Sequence, residues 1–168
     1  ESENTTLVIN SSGEIGTREK NDTYEVYRTG SSDSNIIPNK FGTFDNTGTN
    51  SVIASGNNNK ISSNCSFIGG GTSNLASGAV ASVVGGTSNT ASSSCSFIGG
   101  GSLNSTIGST KDFIGGGFCN IICTFSDYYS CNNTIVGGSC NIISSSLSDY
   151  YKYSSHNFIG GGRNNSIS

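Results

Sequence analysis

The sequence predicts an all-β protein, a parallel β-solenoid of about 15 residues per rung, from columns of residues that repeat through residues 51–168. The first column is asparagine: Asn59, Asn74, Asn89, Asn104, Asn120, Asn141 and Asn165 recur at spacings of 15, 15, 15, 16, 21 and 24 residues. The second is a β-branched aliphatic six residues earlier, at Ile53, Ile68, Val83, Ile98, Ile114, Ile135 and Ile159. The third is a glycine pair four and three residues before each asparagine, from Gly70 and Gly71 to Gly161 and Gly162, with Ser55 and Gly56 in the first copy. Two residues after each asparagine comes a small or aliphatic side chain: Ile61, Ala76, Ala91, Thr106, Ile122, Ile143 or Ile167. One such unit cannot bury its apolar face alone, so a fixed period near 15 implies a stack of about seven rungs.

Composition narrows the class. At 32% hydrophobic and 11% charged, with 24 glycines and one proline, the chain does not describe an ordinary globular core. Nor does it describe disorder, because Ile, Val and Phe return at fixed places among Ser, Asn and Gly. A net charge of -3 without any Lys or Arg cluster argues against nucleic acid as a partner, since phosphate binding needs several cations. No apolar run approaches membrane-spanning length, so no membrane insertion is expected. The chain opens at Glu1 rather than a methionine and stops in mid-rung, as expected of a processed product or a segment of something longer.

Residues 1–50 lie outside the repeat and carry most of the charge, which predicts a separate cap or connector with short strands. Residues 6–10 read as a strand, 11–13 as a turn and 23–28 as a second strand. Between residues 30 and 50, Ser, Asn, Gly and Thr gather around Ile36, Ile37, Pro38 and Phe41, the composition of a loop that plugs the end of the stack. A repeat array needs such a cap to hide its terminal core and its unpaired strand edge.

From residue 51 each rung follows from its residues. The pairs Phe67 and Ile68, Phe97 and Ile98, Phe113 and Ile114, and Phe158 and Ile159 favour strands and send their two side chains to opposite faces. The glycines allow positive φ or a close approach by a neighbouring chain. Asparagine follows at a turn position, where its amide can bond to the same amide one rung away. Such a coil is slender. Each rung offers little apolar surface against an ordering cost of about 1–2 kcal/mol per residue, so one chain alone is expected to be marginal and three coils in contact to share a core.

The copies Ser66-Phe67-Ile68-Gly69-Gly70-Gly71-x-x-Asn74-x-Ala76-Ser77 and Ser96-Phe97-Ile98-Gly99-Gly100-Gly101-x-x-Asn104 resemble the repeats of the β-roll heads of trimeric autotransporter adhesins. They are more similar still to the Gly-Gly-Gly-x-x-Asn repeats of bacteriophage and algal-virus fibre proteins. The resemblance covers residues 51–168 and implies a left-handed β-roll, a homotrimer and a virion or other extracellular location. The adhesin repeat usually carries Ala-Ile-Gly where this chain has Phe-Ile-Gly-Gly-Gly, so details of its core are not carried over. Residues 6–17 resemble, more weakly, a linker phrase of viral fibres.

Two rungs break the period with inserts, at residues 123–133 and 144–157, that share a phrase: Asp127-Tyr128-Tyr129 and Asp149-Tyr150-Tyr151, the latter followed by Lys152 and Tyr153. Adjacent rungs should send both loops off the same edge, where tyrosines would gather with His156. Tyrosine gives rigid contact area with a polar tip, suited to a cell-surface glycan or receptor, and loops on a rigid scaffold commonly carry binding. The same tyrosines would equally serve to pack on the shaft or on a neighbouring subunit.

The cysteines admit two readings. Cys119 and Cys140 precede column asparagines in adjacent rungs and lie within disulfide reach, while Cys123 and Cys131 bracket the first insert and would pinch its base. In the other reading all six are reduced and buried. Cys65 and Cys95 are two rungs apart, too far to bridge within a chain, and read as small buried side chains, with an inter-chain bridge as the alternative. One histidine and no paired Cys-x-x-Cys motif give no metal site.

Competing glycine motifs fail on their residues. The triplets lack the Lys-Ser/Thr ending of a phosphate loop, and no aspartate stands where a calcium roll needs one. A glycosidase-like pair could be drawn only from Asp127 and Asp149, which read as solvated loop residues, so neither catalysis nor a cofactor is expected. The expected function is a structural fibre or tail-fibre segment of a virion that attaches to a host surface through its tyrosine loops. A purely structural filament and a bacterial adhesin head are the alternatives.

Overall fold

The computed structural model describes the backbone of residues 6–9, 15–18, 23–24, 27–29 and 36–38, and backbone and side chains of residues 44–108, 110–124, 132–144 and 156–168, with the backbone also at 145. Among these residues all regular structure is β, in two sheets that are parallel save for one antiparallel edge strand, Tyr27–Thr29, and in a small antiparallel one. Successive strands of each parallel sheet come from successive repeats, so the chain is a parallel β-solenoid.

The sequence columns are the registers of the two sheets. In the nine-stranded sheet Ile53, Ile68, Val83, Ile98, Ile114, Ile135 and Ile159 lie one above another. In the eight-stranded sheet Ile61, Ala76, Ala91, Thr106, Ile122, Ile143 and Ile167 do the same. Both columns point inward, and their aliphatic members from Ile53 to Ile159, with Ala81, form one buried cluster against which the half-buried Ile167 packs. The phenylalanines alternate with the isoleucines on two-residue strands and face outward, as pleating requires. A third line of parallel bridges runs Asn57, Thr72, Thr87, Ser102, Phe118, Ser139, Arg163.

Within residues 1–50 the strand expected at 6–10 is Thr6–Ile9, paired antiparallel with Ile15–Arg18, which the sequence reading leaves in the connecting phrase. The strand expected at 23–28 is two short ones, Thr23–Tyr24 and Tyr27–Thr29, in different sheets. Ile36–Pro38 and Phe44–Asn46, expected as loop, are strands of the solenoid: Ile36 pairs with Val52, and Phe44 with Asn59. Both ladders therefore start below Ser51.

The turns differ from expectation. The residue before each column asparagine takes the left-handed conformation, at φ between 55° and 58° for Asn58, Ser73, Ser88, Leu103, Cys119, Cys140 and Asn164, while the asparagine itself does not. A second left-handed corner holds Asn50, Cys65, Val80, Cys95 and Lys111, at φ from 54° to 60°. For a non-glycine residue this conformation costs about 1–2 kcal/mol, and a hydrogen bond offsets it. Strand amides donate to the next rung, as Val52 N does to Ser66 O at 3.0 Å. Corner amides point the other way, as Leu103 N does to Thr87 O at 3.1 Å and Val80 N to Asn64 O at 3.0 Å. Each turn is thus stitched to the rung below.

The second glycine of each pair is hemmed in by its own chain. A Cβ at Gly71 or Gly86 would lie 2.1 Å from the carbonyl oxygen of the corresponding glycine one rung above. One core position carries a polar defect: Thr106 is fully buried and its hydroxyl has no partner. Thr106→Val keeps the shape and removes the unsatisfied group, so it is expected to stabilise the fold by about 1–2 kcal/mol, read as a raised midpoint with unchanged slope in denaturant unfolding.

Candidate functional site

The asparagine column is a hydrogen-bonded ladder. The Oδ1 of Asn89 accepts from the backbone N of Asn104 at 3.0 Å and from its Nδ2 at 3.1 Å. The Nδ2 of Asn104 also donates to Gly100 O at 2.8 Å and to Gly117 O, one rung higher, at 3.0 Å. The same pattern carries through Asn120, Asn141 and Asn165. At the bottom, Asn59 accepts only the backbone N of Asn74. The carboxamides therefore lock three successive rungs to one another at each step.

All the length variation of the repeat falls at the opposite corner, where the eight-stranded sheet hands over to the nine-stranded one. The first insert leaves after Ile121–Thr124 and returns at Thr134–Ile135; the second leaves after Ile142–Ser145 and returns at Phe158–Ile159. The departing strands pair with each other and so do the returning ones, so both inserts root at one edge of adjacent rungs. Asp127, Tyr128, Tyr129, Asp149, Tyr150, Tyr151, Lys152 and Tyr153 lie outside the described residues, as does Cys131. The returning feet are tied together. Asn132 Nδ2 and His156 Nε2 are 3.1 Å apart, and Asn157 Nδ2 donates to Asn133 Oδ1 at 3.1 Å.

This corner holds a second polar ladder that sequence reasoning misses. Its column is Ser51, Ser66, Ala81, Ser96, Asp112, Asn133 and Asn157, the residues just before the outward strand position. Serines close the short turns: Ser66 Oγ donates to Gly78 O at 3.0 Å and accepts from Ala81 N at 3.3 Å. Where the turn lengthens, the longer side chains Asp112 and Asn133 take over, with Asn133 Nδ2 donating to Asp112 Oδ1 at 3.1 Å. The switch from Ser to Asp or Asn was visible in the sequence, but only once the columns are aligned from this corner.

The cysteines divide by position. Cys65 and Cys95 are exposed on the left-handed corner rather than buried, because that conformation turns their side chains away from the interior. Cys119 and Cys140 are half-buried free thiols stacked one rung apart, and Cys123 is also free. The expected bridge between Cys119 and Cys140 is not formed. The two stand one above the other on a left-handed corner, at φ 56° and 55°, with their thiols in hydrogen-bond contact rather than bonded. Burial and the adjacent Cys140 thiol push the Cys119 thiol up, leaving it less thiolate, and less nucleophilic, at neutral pH.

The surface is sparsely charged. Lys60 and Asp45 pair in the lowest rungs, half exposed, where such a bridge is worth little. Among the described residues no group of three His, Cys, Asp or Glu side chains could hold a metal. What the outside does carry is apolar: Phe67, Phe97, Phe113 and Phe158, with Val84 and Val136, stand exposed on the nine-stranded sheet. A ladder of this kind defines a repeat scaffold with loops on one edge. The chain matches no protein-family model, no curated protein and no solved structure.

Proposed function

We propose that this chain is a segment of a homotrimeric extracellular fibre, a left-handed β-roll belonging to a virion, which attaches to a cell-surface glycan or receptor through its two tyrosine-rich inserts. The observation that carries this reading is the common root of the inserts. Two loops with the same Asp-Tyr-Tyr phrase leave one corner of adjacent rungs, and their feet are joined by Asn132 to His156 and by Asn157 to Asn133. A rigid ladder that gathers repeated aromatic loops at one place is suited to multivalent contact, and threefold symmetry would triple it. The repeat's resemblance to fibre proteins and trimeric adhesin heads supports the trimer, the handedness and the location.

A second reading, a filament whose loops touch other subunits, is favoured by one feature: the inserts return directly into Thr134 and Phe158, at the rim of the apolar outer face. Changing Tyr128, Tyr129, Tyr150 and Tyr151 together to alanine separates the two. Attachment predicts at least tenfold weaker binding to host cells or a glycan array with particle mass unchanged. A fall in particle mass would instead make the loops subunit contacts, and unchanged binding at unchanged mass would remove them from both roles.

A further inference from the structure

We infer that the outer face of the nine-stranded sheet is where copies of this chain meet, parallel and in register, an inference that rests on the trimeric reading above and names its interface. The face is built from two outward columns, one on each side of the buried aliphatic. In the first stand Val52, Phe67, Ser82, Phe97, Phe113, Thr134 and Phe158; in the second Ala54, Gly69, Val84, Gly99, Gly115, Val136 and Gly160. Neither column contains a charged residue.

The two columns compensate each other. Every phenylalanine of the column is followed two residues later by glycine: a Cβ built at Gly69, Gly99, Gly115 or Gly160 would sit 3.3 to 3.5 Å from the Cε1 of the phenylalanine in its own rung, and at Gly69, Gly99 and Gly115 it would also lie 2.3 to 2.4 Å from a carbonyl oxygen of the next rung. Where the first column has Ser82 or Thr134 instead, the second has Val84 or Val136. Each rung thus keeps one large apolar group on this face, although these side chains point away from the chain's own core. Folding of the single chain does not require that. Ser82 and Thr134 occupy the column in the same fold, so a polar residue is sterically and conformationally acceptable there.

Size and period identify the occupant. The four phenylalanines are 36% to 64% exposed and the two valines 48%. With an aromatic side chain offering about 150–250 Å², the stripe presents roughly 500 Å². That exceeds the ~400 Å² a side of incidental contacts and, with its flanking backbone, approaches the ~800 Å² a side of stable complexes. The flank is open: a Cβ at Gly85 would meet nothing within 4 Å, and at Gly137 only a carbonyl oxygen at 4.0 Å, so backbone is accessible beside the valines. The bulk groups recur once per rung, at the strand spacing of about 4.8 Å. A partner with any other repeat drifts out of phase along the stack, whereas a second copy in register meets the same pattern at every rung. Phe97 and Phe113, stacked with centroids 5.4 Å apart, mark the middle of the stripe.

The test compares the intact chain with F97S/F113S, which places in two rungs what Ser82 already provides in one, and with I142S, which removes an exposed apolar group from the other sheet. Sedimentation velocity reads the particle mass against 17.2 kDa per chain, and far-UV circular dichroism reports the fold. The expected result is an oligomeric parent, an unchanged I142S, and an F97S/F113S whose dissociation constant rises at least tenfold with its β spectrum retained. An oligomer that persists in F97S/F113S overturns this interface and leaves the trimeric fibre standing; a monomeric parent overturns both. Should F97S/F113S lose its β spectrum, hydroxyl-radical footprinting of the parent decides. Phe97 and Phe113 should be shielded relative to Phe118, which is exposed off this face, and equal oxidation would refute the inference.

Discussion

Gly86→Ala is expected to destroy the stack, while Gly85→Ala, one residue away, leaves it nearly intact. Gly86 sits at φ +90°, which an L side chain rarely adopts, and its Cβ would lie 2.1 Å from the carbonyl oxygen of Gly101 and 2.7 Å from the Nδ2 of Asn89. The first obstacle is backbone fixed by the rung above; the second is the asparagine ladder itself. Relief requires separating two rungs, so the loss is expected to be on the order of 4–5 kcal/mol or more, a large part of the stability of a domain. At Gly85 there is open space and no positive φ, and Ser55 already fills the matching place in the first rung. Its replacement is expected to shift stability by less than about 1 kcal/mol. Thermal unfolding of both variants followed by circular dichroism checks the contrast, and equal behaviour would show that the stacking of glycine carbonyls is wrong.

Asn104→Ala is the next most damaging change. Its Oδ1 is the acceptor for the backbone N of Asn120 at 3.0 Å and for the Nδ2 of Asn120 at 3.2 Å, and its own amide holds Gly100, Gly117 and Asn89. Truncation strands the buried backbone N–H of Asn120 and takes a donor from the carbonyls of Gly100 and Gly117. At about 1–3 kcal/mol for each buried group left unsatisfied, a loss of roughly 3–5 kcal/mol follows. Asn165→Ala provides the internal comparison. That residue is exposed in the top rung and is expected to lose under about 1 kcal/mol, since water replaces its partners. Denaturant melts of the two variants should differ in midpoint by a corresponding margin.

Much of the architecture was legible because the constraints that build it are repeated. An isoleucine six residues before an asparagine, seven times over, is a register written in sequence, and the structure places those residues in a single column. The corners were not legible. Asn58, Ser73, Leu103, Cys119, Val80 and Lys111 share a left-handed backbone that none of them favours except asparagine. The ladder imposes that conformation through the downward amide bond, so composition carries no trace of it. Cys65 and Cys95 were misplaced for the same reason: small apolar side chains read as buried unless the turn is known. The two glycines of each pair look alike in sequence although the second is crowded by its own chain, while the first is open except at Gly70, where a Cβ would meet the Oγ of Ser55 at 2.5 Å, and Ser55 was the one hint of the difference. The second polar ladder changes residue type as its turns lengthen, from Ser96 to Asp112 to Asn133, and so escapes a search for identity.

The outer face shows the same economy at the level of function. The interior of each rung is completed by one side chain from each sheet, aliphatic in every case but Thr106, yet Phe67, Phe97, Phe113 and Phe158 are spent on the outside. Under the proposed interface that outward apolar column is the surface on which copies pack, and the tyrosine inserts return to the chain beside it at Thr134 and Phe158.

The central claim, a continuous stack locked rung to rung by carboxamides, is tested most directly by amide hydrogen exchange in the intact chain. The backbone amides of Asn74, Asn89, Asn104, Asn120 and Asn141 each donate to the asparagine Oδ1 of the rung below. They are expected to be among the slowest in the molecule and to exchange together, as members of one cooperative unit. Exchange of these amides at the rate of an unfolded chain, or protection confined to one end of the series, would contradict the ladder.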